Sequence, residues 1–361
     1  MRRAFIHRFA MRAPDDTSLL EAALIDGTVD PRCVVAILGK TEGNGCVNDF
    51  TRAFAVRSIE GLLERYAPGC RPAIVTSGGT EGALSPHMLV FEVRASDEAG
   101  RGKSLALGTA HTADLPPDML GRIGQVCQVA DGVRAAMADA GIADPADVHY
   151  VQIKCPLLTI ERIEQALARG KVPAVRDTLK SMAWSRGASA LGVAVAMGEI
   201  SLAEISDAMI CQDMTLYSTV AATSGGVELL GHEIMVAGMS SAWAGPLAID
   251  HAVMEDAIDV EPVRQALSRL GLAATGQLPA ERRLKVRAVM AKAEAPLSGK
   301  VRGLRHTMLD DSDIASTRHA RAFVGGVLAG LFGFTDLFVS GGAEHQGPDG
   351  GGPVAIVVER A

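Results

Sequence analysis

The sequence predicts an α/β protein of three structurally similar repeat units arranged around a pseudo-threefold axis, with one site at the centre. Three observations predict this fold. Three apolar runs each end in Ser-Gly-Gly, followed two residues later by Glu. Each is preceded by a lysine that ends an earlier apolar run, and an arginine in a helical pattern lies between that lysine and the serine. The three sets are Lys40, Arg52, Ser77 and Glu81; Lys154, Arg186, Ser224 and Glu228; and Lys292, Arg318, Ser340 and Glu344.

The repeated motif implies three units of similar size. Residue types that recur in the same order, with loops of different length between them, are typical of a repeat architecture because insertions fall in loops. The predicted units are residues 1–103, 104–243 and 248–361. Each has the ordinary size of a domain.

The secondary structure is predicted to follow the same order in each unit. Short apolar runs bounded by turn residues predict strands, and apolar residues at helical spacing predict helices. The predicted strands are 34–38, 73–76, 88–93, 149–153, 220–223, 233–237, 286–291 and 337–339. The predicted helices are 51–66, N-capped by Asp49; 185–197, opened by Ser185 and Arg186; and a third that carries Arg318 and is N-capped by Asp313. A turn at 100–102 is expected to close the first unit.

Composition and charge exclude several classes of protein. Of the 361 residues, 48% are hydrophobic and 4% aromatic, and 39 are glycine, which is typical of an ordered α/β protein. A net charge of −7 without a block of basic residues argues against binding nucleic acid or an anionic membrane. The sequence has no apolar stretch that predicts a signal peptide or a membrane span, so a cytoplasmic location is expected. The six cysteines are expected to be reduced thiols.

The repeated residue types suit acyl transfer to a serine. A serine hydroxyl needs a base, and lysine serves only when burial or nearby positive charge lowers its pKa. Arginines supply such charge and can bind the oxygens of a planar ligand. Backbone N–H groups of the Ser-Gly-Gly turns can form an oxyanion hole, because glycine lets the backbone approach a ligand closely. A thiol nucleophile at Cys46 or Cys155, both beside motif residues, is an alternative.

Each repeated element also has an ordinary structural explanation. Taken alone, Ser-Gly-Gly is usually a turn, a lysine at a strand end is usually a solvated charge, and an arginine in a first helical turn is usually on the surface. The recurrence of all three in one order favours function. Duplication copies structural residues as well, so the alternative that some copies are relics stays open.

One difference between the copies indicates which pair works. Lys40 and Lys292 are each followed two residues later by a carboxylate, Glu42 and Glu294, which in an extended segment shares the lysine's face and favours the ammonium. Lys154 is followed by Cys-Pro instead. Lys154 is therefore predicted to be the lysine most easily held neutral, as the base for Ser224.

The glycine-rich segment 343–352 suggests a cation site near the end of the chain. Carbonyl oxygens of such a loop suit a hard divalent cation. A tight glycine turn without an ion fits the spacing as well.

Six longer motifs resemble the cyanuric acid hydrolase and barbiturase family of ring-opening amidohydrolases, and the resemblance covers nearly the whole chain. They are Gly-Lys-Thr-Glu-Gly-Asn-Gly-Cys-Val-Asn-Asp-Phe-Thr-Arg (39–52), Ser-Gly-Gly-Thr-Glu-Gly (77–82), Lys-Cys-Pro-Leu-Leu-Thr (154–159), Ser-Arg-Gly-Ala-Ser-Ala-Leu-Gly (185–192), Ala-Lys-Ala-Glu-Ala (291–295) and Ser-Gly-Gly-Ala-Glu-His-Gln-Gly-Pro (340–348).

The resemblance implies a homotetramer that opens cyanuric acid to carboxybiuret, which loses carbon dioxide to give biuret. It implies catalysis by Ser224 and Lys154, with Lys40 and Lys292 as supporting lysines. The substrate-binding residues that it implies are Arg52, Ser77, Gly78, Arg186, Ser224, Gly225, Arg318, Ser340 and Gly341. It implies no organic cofactor and a structural divalent cation, Mg²⁺ or Ca²⁺, on Glu294, Ala343, Gln346, Gly347, Pro348 and Gly351.

A cyanuric acid amidohydrolase is therefore the expected activity, with a small planar cyclic amide as the ligand. Two alternatives remain at this point. One is a barbiturase, which would open barbituric acid to ureidomalonate; the other is a non-catalytic binder of planar cyclic amides. Parallel hydrolysis assays on the two rings separate the first, and tight binding without turnover identifies the second.

Overall fold

Three sheets organise the protein in a computed structural model that describes residues 1–100 and 102–360; they share one topology of four strands, and the first has a fifth, two-residue strand at its edge. Numbered along each unit, the four shared strands lie in the order first, fourth, second, third. In each, the first two neighbours and the middle pair are antiparallel, and the last pair is parallel. The predicted fold class is confirmed.

The elements of the first sheet lie in the first predicted unit. Its strands are β1 (Arg2–Ala10), β2 (Val34–Thr41), β3 (Ala73–Gly78) and β4 (His87–Ala95), and its helices are α1 (Ser18–Ile25) and α2 (Phe50–Tyr66). The Asp49 carboxylate accepts from the Thr51 N–H, so the predicted N-cap of α2 is confirmed. The predicted turn at 100–102 contains Arg101, which lies outside the described residues, as does Ala361.

The second unit carries longer insertions. Its elements are β5 (Ser104–His111), α3 (Ile123–Ala140), β6 (Val148–Pro156), α4 (Ile160–Ala168), α5 (Thr178–Met197), β7 (Ala221–Gly226) and β8 (Glu233–Ser240). Helix α5 begins seven residues before the predicted start at Ser185, because Asp177 accepts from the Lys180 N–H and caps the helix there. A short strand, β9 (Trp243–Ala244), then pairs with β1 of the first sheet.

The third unit repeats the order once more, and its sheet begins at Leu247, one residue before the predicted range. Its elements are β10 (Leu247–Met254), α6 (Glu261–Arg269), α7 (Ala280–Arg283), β11 (Val286–Ala293), β12 (Lys300–Val301), β13 (Leu304–Arg305), α8 (Ser316–Phe332), β14 (Phe338–Gly341) and β15 (Gly352–Glu359). The predicted N-cap Asp313 is wrong. Asp311 caps the preceding turn by accepting from the Asp313 and Ile314 N–H groups, and α8 begins after Ala315.

The three sheets pack against one another through one face each. Successive residues of a strand point to opposite faces. Leu38 therefore joins the largest apolar cluster, which takes residues from all three sheets, whereas Ile37 packs with Ile59 of α2 in a second cluster. In the third unit Met290 joins the central cluster and Val289 packs with Leu328 of α8. The shared cluster lies where the units meet, and no helix in the described part of the chain is long and apolar enough to cross a bilayer.

We expect Gly192→Ala to destabilise the protein. A Cβ atom at buried Gly192 of α5 would lie 2.7 Å from the Val129 Cβ and 2.8 Å from the Val126 carbonyl oxygen of α3. Overpacking of this kind costs about 1–3 kcal/mol. The matched control is Gly61→Ala at an exposed position of α2, where a Cβ would meet no atom outside the nearby helix backbone within 4 Å. This substitution should stabilise the protein by about 0.4–1 kcal/mol. Urea unfolding of both variants checks the pair, and equal effects would contradict the close packing of α3 on α5.

Candidate active site

The parallel strand pair of each sheet places a lysine directly opposite a serine. The register pairs Lys40 with Ser77, Lys154 with Ser224, and Lys292 with Ser340. All three serines, and Lys40 and Lys292, lie two residues beyond a member of the central apolar cluster; Lys154 lies two residues beyond buried Gln152 and opposite Ser224. Because side chains two apart share a face, all six polar side chains continue the inner faces of the sheets toward the axis. The three predicted Lys–Ser pairs are thus equivalent by topology.

The three serines meet at the axis. The Ser340 hydroxyl lies 3.2 Å from the Ser77 hydroxyl and 3.4 Å from the Ser224 hydroxyl. A narrow cleft lies over them, lined by those serines, three glycines and three arginines: Gly78, Gly225, Gly341, Arg52, Arg186 and Arg321, with Gly45 and Met182 completing the wall. The structure thus brings together all the predicted substrate-binding residues except one.

The third arginine of the cleft is Arg321, and Arg318 does not line it. The Arg318 side chain is 40% exposed, whereas that of Arg321 is 4% exposed. Residues three apart on a helix lie one turn apart on neighbouring faces, so both reach Glu81 but only the deeper one reaches the cleft. The sequence held a signal for this assignment, because Arg-Ala-Phe occurs at 52–54 and again at 321–323.

Two of the cleft arginines are held by the glutamates of the repeated motif. Glu81 of the first unit accepts from Nε and Nη2 of Arg321 at 2.9 and 2.6 Å. Glu344 of the third unit accepts from Nε and Nη2 of Arg186 at 2.8 and 2.6 Å. Bidentate pairs of this kind fix the plane of a guanidinium, so these two arginines are rigidly oriented toward the cleft.

The first-unit arginine is held differently. Arg52 donates from Nη1 to the Gly225 carbonyl at 2.8 Å and from Nη2 to the Cys46 carbonyl at 2.5 Å. Its Nε lies 3.7 Å from an Asp49 carboxylate oxygen, and this buried atom has no hydrogen-bond partner among residues 1–100 and 102–360. By the cyclic order of the other two pairs, its partner would be Glu228.

Lys40 and Lys292 share the same contacts, and both have lowered pKa values. Both are buried and bond to their own serine hydroxyl at 3.3 Å and to the next glycine's carbonyl, Gly78 at 3.2 Å and Gly341 at 3.1 Å. Burial, with the charge of Arg321, lowers the pKa of Lys40 well below its usual value. Burial, with the charge of Arg186, lowers the pKa of Lys292 to about 7.

Lys154 is the lysine that carries a carboxylate partner, which reverses the sequence-based expectation. Its Nζ lies 2.6 Å from the Glu228 carboxylate and donates to the Thr76 carbonyl at 3.0 Å rather than to Ser224. Burial alone would raise the pKa of Glu228, but the attraction and hydrogen bond of Lys154, with the charge of Arg52, lower it. Lys154 is therefore paired with a carboxylate, which the other two lysines are not within the described chain.

The carboxylates that follow Lys40 and Lys292 in the sequence do not decide the pKa values of those lysines. Glu42 is exposed in the loop after β2. Glu294 does act to raise the pKa of Lys292, but burial and Arg186 outweigh it. The prediction failed because the charges that matter arrive from other units, through contacts that spacing along one strand does not encode.

A thiol nucleophile has little support. Cys155 is fully buried, its Sγ lies 3.5 Å from the Ser224 carbonyl, and burial raises its pKa. A thiol is a good nucleophile only as the thiolate. Cys46 contributes its backbone carbonyl to Arg52.

The C-terminal loop has a donor set that fits a hard cation. Glu294 is half-buried, and the desolvation of its carboxylate together with the charge of Glu344 raises its pKa to about 7. Its carboxylate accepts from the Ala295 N–H and has no lysine or arginine partner within the described chain. Carbonyls of Ala343 and Pro348 in the adjacent loop each accept one backbone hydrogen bond and keep a second lone pair. The Gln346 side chain is committed at both ends, to the Thr223 N–H and the Gly342 carbonyl, so only its backbone oxygen is available.

A second group of potential metal ligands lies away from the cleft. The Nδ1 atoms of His149 and His251 are 2.9 Å apart, with an Asp250 carboxylate oxygen 3.7 Å from the first. Arg269 forks onto Asp250 at 2.6 and 3.2 Å. The two rings bond to each other and the carboxylate to the arginine, so the cluster is paired without an ion.

Comparison with known proteins gives one consistent family. A model of the family described as amidohydrolase ring-opening protein matches residues 5–359. The chain is 70% identical to the cyanuric acid amidohydrolase of Bradyrhizobium sp. (strain ORS 375), over 100% of this chain and 99% of that protein. It superposes on the crystal structure of cyanuric acid hydrolase from A. caulinodans with a TM-score of 0.93, at 57% identity over 100% of both chains. A second cyanuric acid hydrolase, described as evolutionary innovation by structural concatenation, gives 0.95 at 46% identity over 99% of this chain and 100% of that one.

The geometry predicts that Arg321 contacts a ligand in the cleft and that Arg318 does not. With cyanuric acid, the ring named for those relatives, as the probe, Arg321→Ala should weaken any binding by at least 100-fold, about 2.7 kcal/mol at 1.36 kcal/mol per tenfold. Arg318→Ala removes a half-exposed ion pair, worth about 1 kcal/mol or less, and should change binding less than about fivefold. Calorimetric titration of both variants measures this difference. A larger loss for Arg318→Ala would restore the sequence-based assignment.

Proposed function

We propose that this chain, which belongs to the ring-opening amidohydrolases, is a cyanuric acid amidohydrolase that opens the triazine ring at one C–N bond. The observation that carries the proposal is the convergence of three Lys–Ser pairs and three arginines on a single narrow cleft. Cyanuric acid is planar and has three equivalent carbonyl groups. A threefold set of donors matches a threefold set of acceptors.

The cleft supplies each part that acyl transfer needs. In the proposed reaction, Lys154 as a neutral amine takes the Ser224 proton, and the serine oxygen bonds to a ring carbonyl carbon. The tetrahedral oxyanion accepts from backbone N–H groups of the Ser-Gly segments and from an arginine. The ring C–N bond then breaks as Lys154 returns the proton to the departing nitrogen. Water hydrolyses the ester, which regenerates Ser224 and yields carboxybiuret.

The second unit is the choice for this chemistry because its contacts are where the site departs from threefold symmetry. Two Lys–Ser pairs are alike in contacts and in lowered lysine pKa values, and the two remaining carbonyls of the ring can be held by them. Lys154 alone of the three lysines contacts a carboxylate in the described structure. A reaction at one carbonyl needs one pair that differs from the others.

We further propose that a divalent cation, Mg²⁺ or Ca²⁺, occupies the C-terminal loop in a structural role. Glu294 and the backbone carbonyls of Ala343, Gln346, Gly347, Pro348 and Gly351 would hold it. The support for this ion is the desolvated carboxylate of Glu294 beside carbonyls with free lone pairs. The ion would neutralise that carboxylate and fix the loop next to Arg186 and Glu344.

A homotetramer in the cytoplasm is also proposed, from the family resemblance. Light scattering tests the oligomeric state.

The central test measures hydrolysis of cyanuric acid and of barbituric acid in parallel by loss of ring absorbance. We expect turnover of cyanuric acid with a clear preference over barbituric acid. Preferred opening of barbituric acid would make the protein a barbiturase. Tight binding of cyanuric acid without turnover would make it a binding protein.

Replacement of the three serines one at a time tests the nucleophile. Ser224→Ala should lower kcat at least about 1,000-fold, because loss of an acyl-transfer nucleophile leaves only residual catalysis. Ser77→Ala and Ser340→Ala should act mainly on KM, by about tenfold each, since each removes one hydrogen bond to a ring carbonyl. If either of these abolishes turnover while Ser224→Ala keeps a tenth or more, the nucleophile belongs to another unit.

Removal of the proposed cation should lower stability more than activity. An ion that binds only the folded state at about 100 times its dissociation constant contributes about 2.7 kcal/mol, so chelator or Glu294→Gln should lower the melting temperature. Glu42→Gln is the matched control, because exposed Glu42 occupies the same position after Lys40. Elemental analysis of the purified protein gives a readout independent of activity. A metal-free protein whose melting temperature ignores chelator would refute the site.

A further inference from the structure

The glutamate of the second unit breaks the pattern set by its two equivalents. Glu81 reaches the arginine of the third unit, and Glu344 reaches the arginine of the second. Continued around the axis, the same order would take Glu228 of the second unit to Arg52 of the first. Instead the Glu228 carboxylate lies on Lys154 at 2.6 Å.

The Nε of Arg52 lacks the hydrogen-bonded carboxylate that its two equivalents have, and the Asp49 carboxylate lies 3.7 Å from it. In the two equivalent arginines, Nε donates to the glutamate at 2.8 and 2.9 Å. The Nε of Arg52 is the same atom, it is buried, and it is without a hydrogen-bond acceptor in the described residues. Leaving a buried donor of this kind unpaired is unfavourable, more so when it is charged. A carboxylate that moved there would satisfy it.

The contacts of Lys154 and Arg52 are coupled through one carbonyl group. The other two lysines donate to the glycine after their serine, Gly78 and Gly341. The equivalent carbonyl in the second unit is that of Gly225, and Arg52 occupies it at 2.8 Å. If Arg52 turned to Glu228, it would release the Gly225 carbonyl, and Lys154 would lose its carboxylate at the same moment.

We propose that Glu228 is a positioning residue that exchanges Lys154 for Arg52 when the ring binds, and that this exchange brings Lys154 onto Gly225 and Ser224. The inference rests on the proposed function. The observed arrangement is the resting form, with Lys154 as an ammonium. In the exchanged form Lys154 has the contacts that Lys40 and Lys292 already have, so the second unit differs from the others in that its contacts change when the ring binds. The Lys154 ammonium then gives its proton to solvent water, and the resulting amine accepts the Ser224 proton.

The exchange makes the charge of Lys154 depend on the position of one side chain. The charged and titratable groups that face Lys154 are Glu228, Arg52 and Glu233, which lies opposite it in the register of β6 and β8. Beside the Glu228 carboxylate the ammonium is favoured. After the exchange, burial and the arginine charges favour the amine, as they do at Lys40. Ring binding would thus activate the base only when the substrate is in place.

The test compares Glu228→Gln with Glu81→Gln in the full-length enzyme. The acidic limb of a kcat/KM profile reports groups of the free enzyme. Loss of the Glu228 charge should move that limb to lower pH by at least about one unit, because an opposite charge within about 4–6 Å shifts a titration by roughly 1–3 units. Glu81→Gln removes the equivalent fork on Arg321, so it should raise KM and leave the limb in place. Glu233→Gln identifies any contribution of Glu233, whose pKa burial raises to about 7.

A crystal structure of Ser224→Ala with cyanuric acid bound tests the exchange directly and needs no turnover. We expect Glu228 within hydrogen-bond distance of Arg52 Nε, and Lys154 Nζ within that distance of the Gly225 carbonyl. Glu228 still on Lys154 beside a bound ring would overturn the proposal, as would a Glu228→Gln limb that coincides with the wild type. A wild-type protein that neither binds nor opens cyanuric acid would instead refute the proposed function, and the exchange with it.

Discussion

The central constraint on this site is that six basic side chains meet in a buried volume, and burial of an unpaired charge is costly. The three arginines stay charged at any accessible pH, so each needs an anion: Asp49 lies beside Arg52, Glu344 holds Arg186 and Glu81 holds Arg321. Glu228 is the fourth carboxylate and pairs with Lys154. Lys40 and Lys292 have no such contact within the described residues, and burial lowers the pKa of each. The distribution of the carboxylates thus distinguishes Lys154 from the other two lysines.

The fold satisfies this constraint through strand register. A lysine and a serine at the carboxyl ends of adjacent parallel strands face the axis because each continues the alternation of an apolar inner face. The same one-residue bulge occurs near the start of the lysine-bearing strand in all three units, between Val34 and Ala36, Val148 and Tyr150, and Val286 and Ala288. A register slip of one residue would turn the lysine into the helix layer. The shared bulge and the buried lysine therefore belong to one geometric solution, used three times.

The site features that the sequence predicted correctly are those that depend on residues of one unit. The three sheets, the Lys–Ser pairs and the Asp49 cap all follow from local periodicity and spacing. The errors within the site arose where the contacts of a side chain come from another unit. Arg318 and Arg321 lie on the same helix, and only the packing of α8 against the first unit decides which one enters the cleft. Glu228 was visible as part of the repeated motif, but its choice of Lys154 over Arg52 depends on contacts between units, which no spacing within one unit records.

Threefold repetition suits binding and is inadequate for chemistry. Three equal sets of donors hold a ring with three equal carbonyls, yet hydrolysis must begin at one of them, and equal lysines would compete for the same proton transfer. The residue types in this site are nevertheless the same in all three units. The departure from symmetry lies in the partners of side chains that all three units share. Arg52 donates to a backbone carbonyl, and Glu228 pairs with a lysine. Such a difference needs no new functional group, because a change of partner alone moves the charge of one lysine. A repeat protein can therefore keep three binding subsites and still acquire a single reactive one.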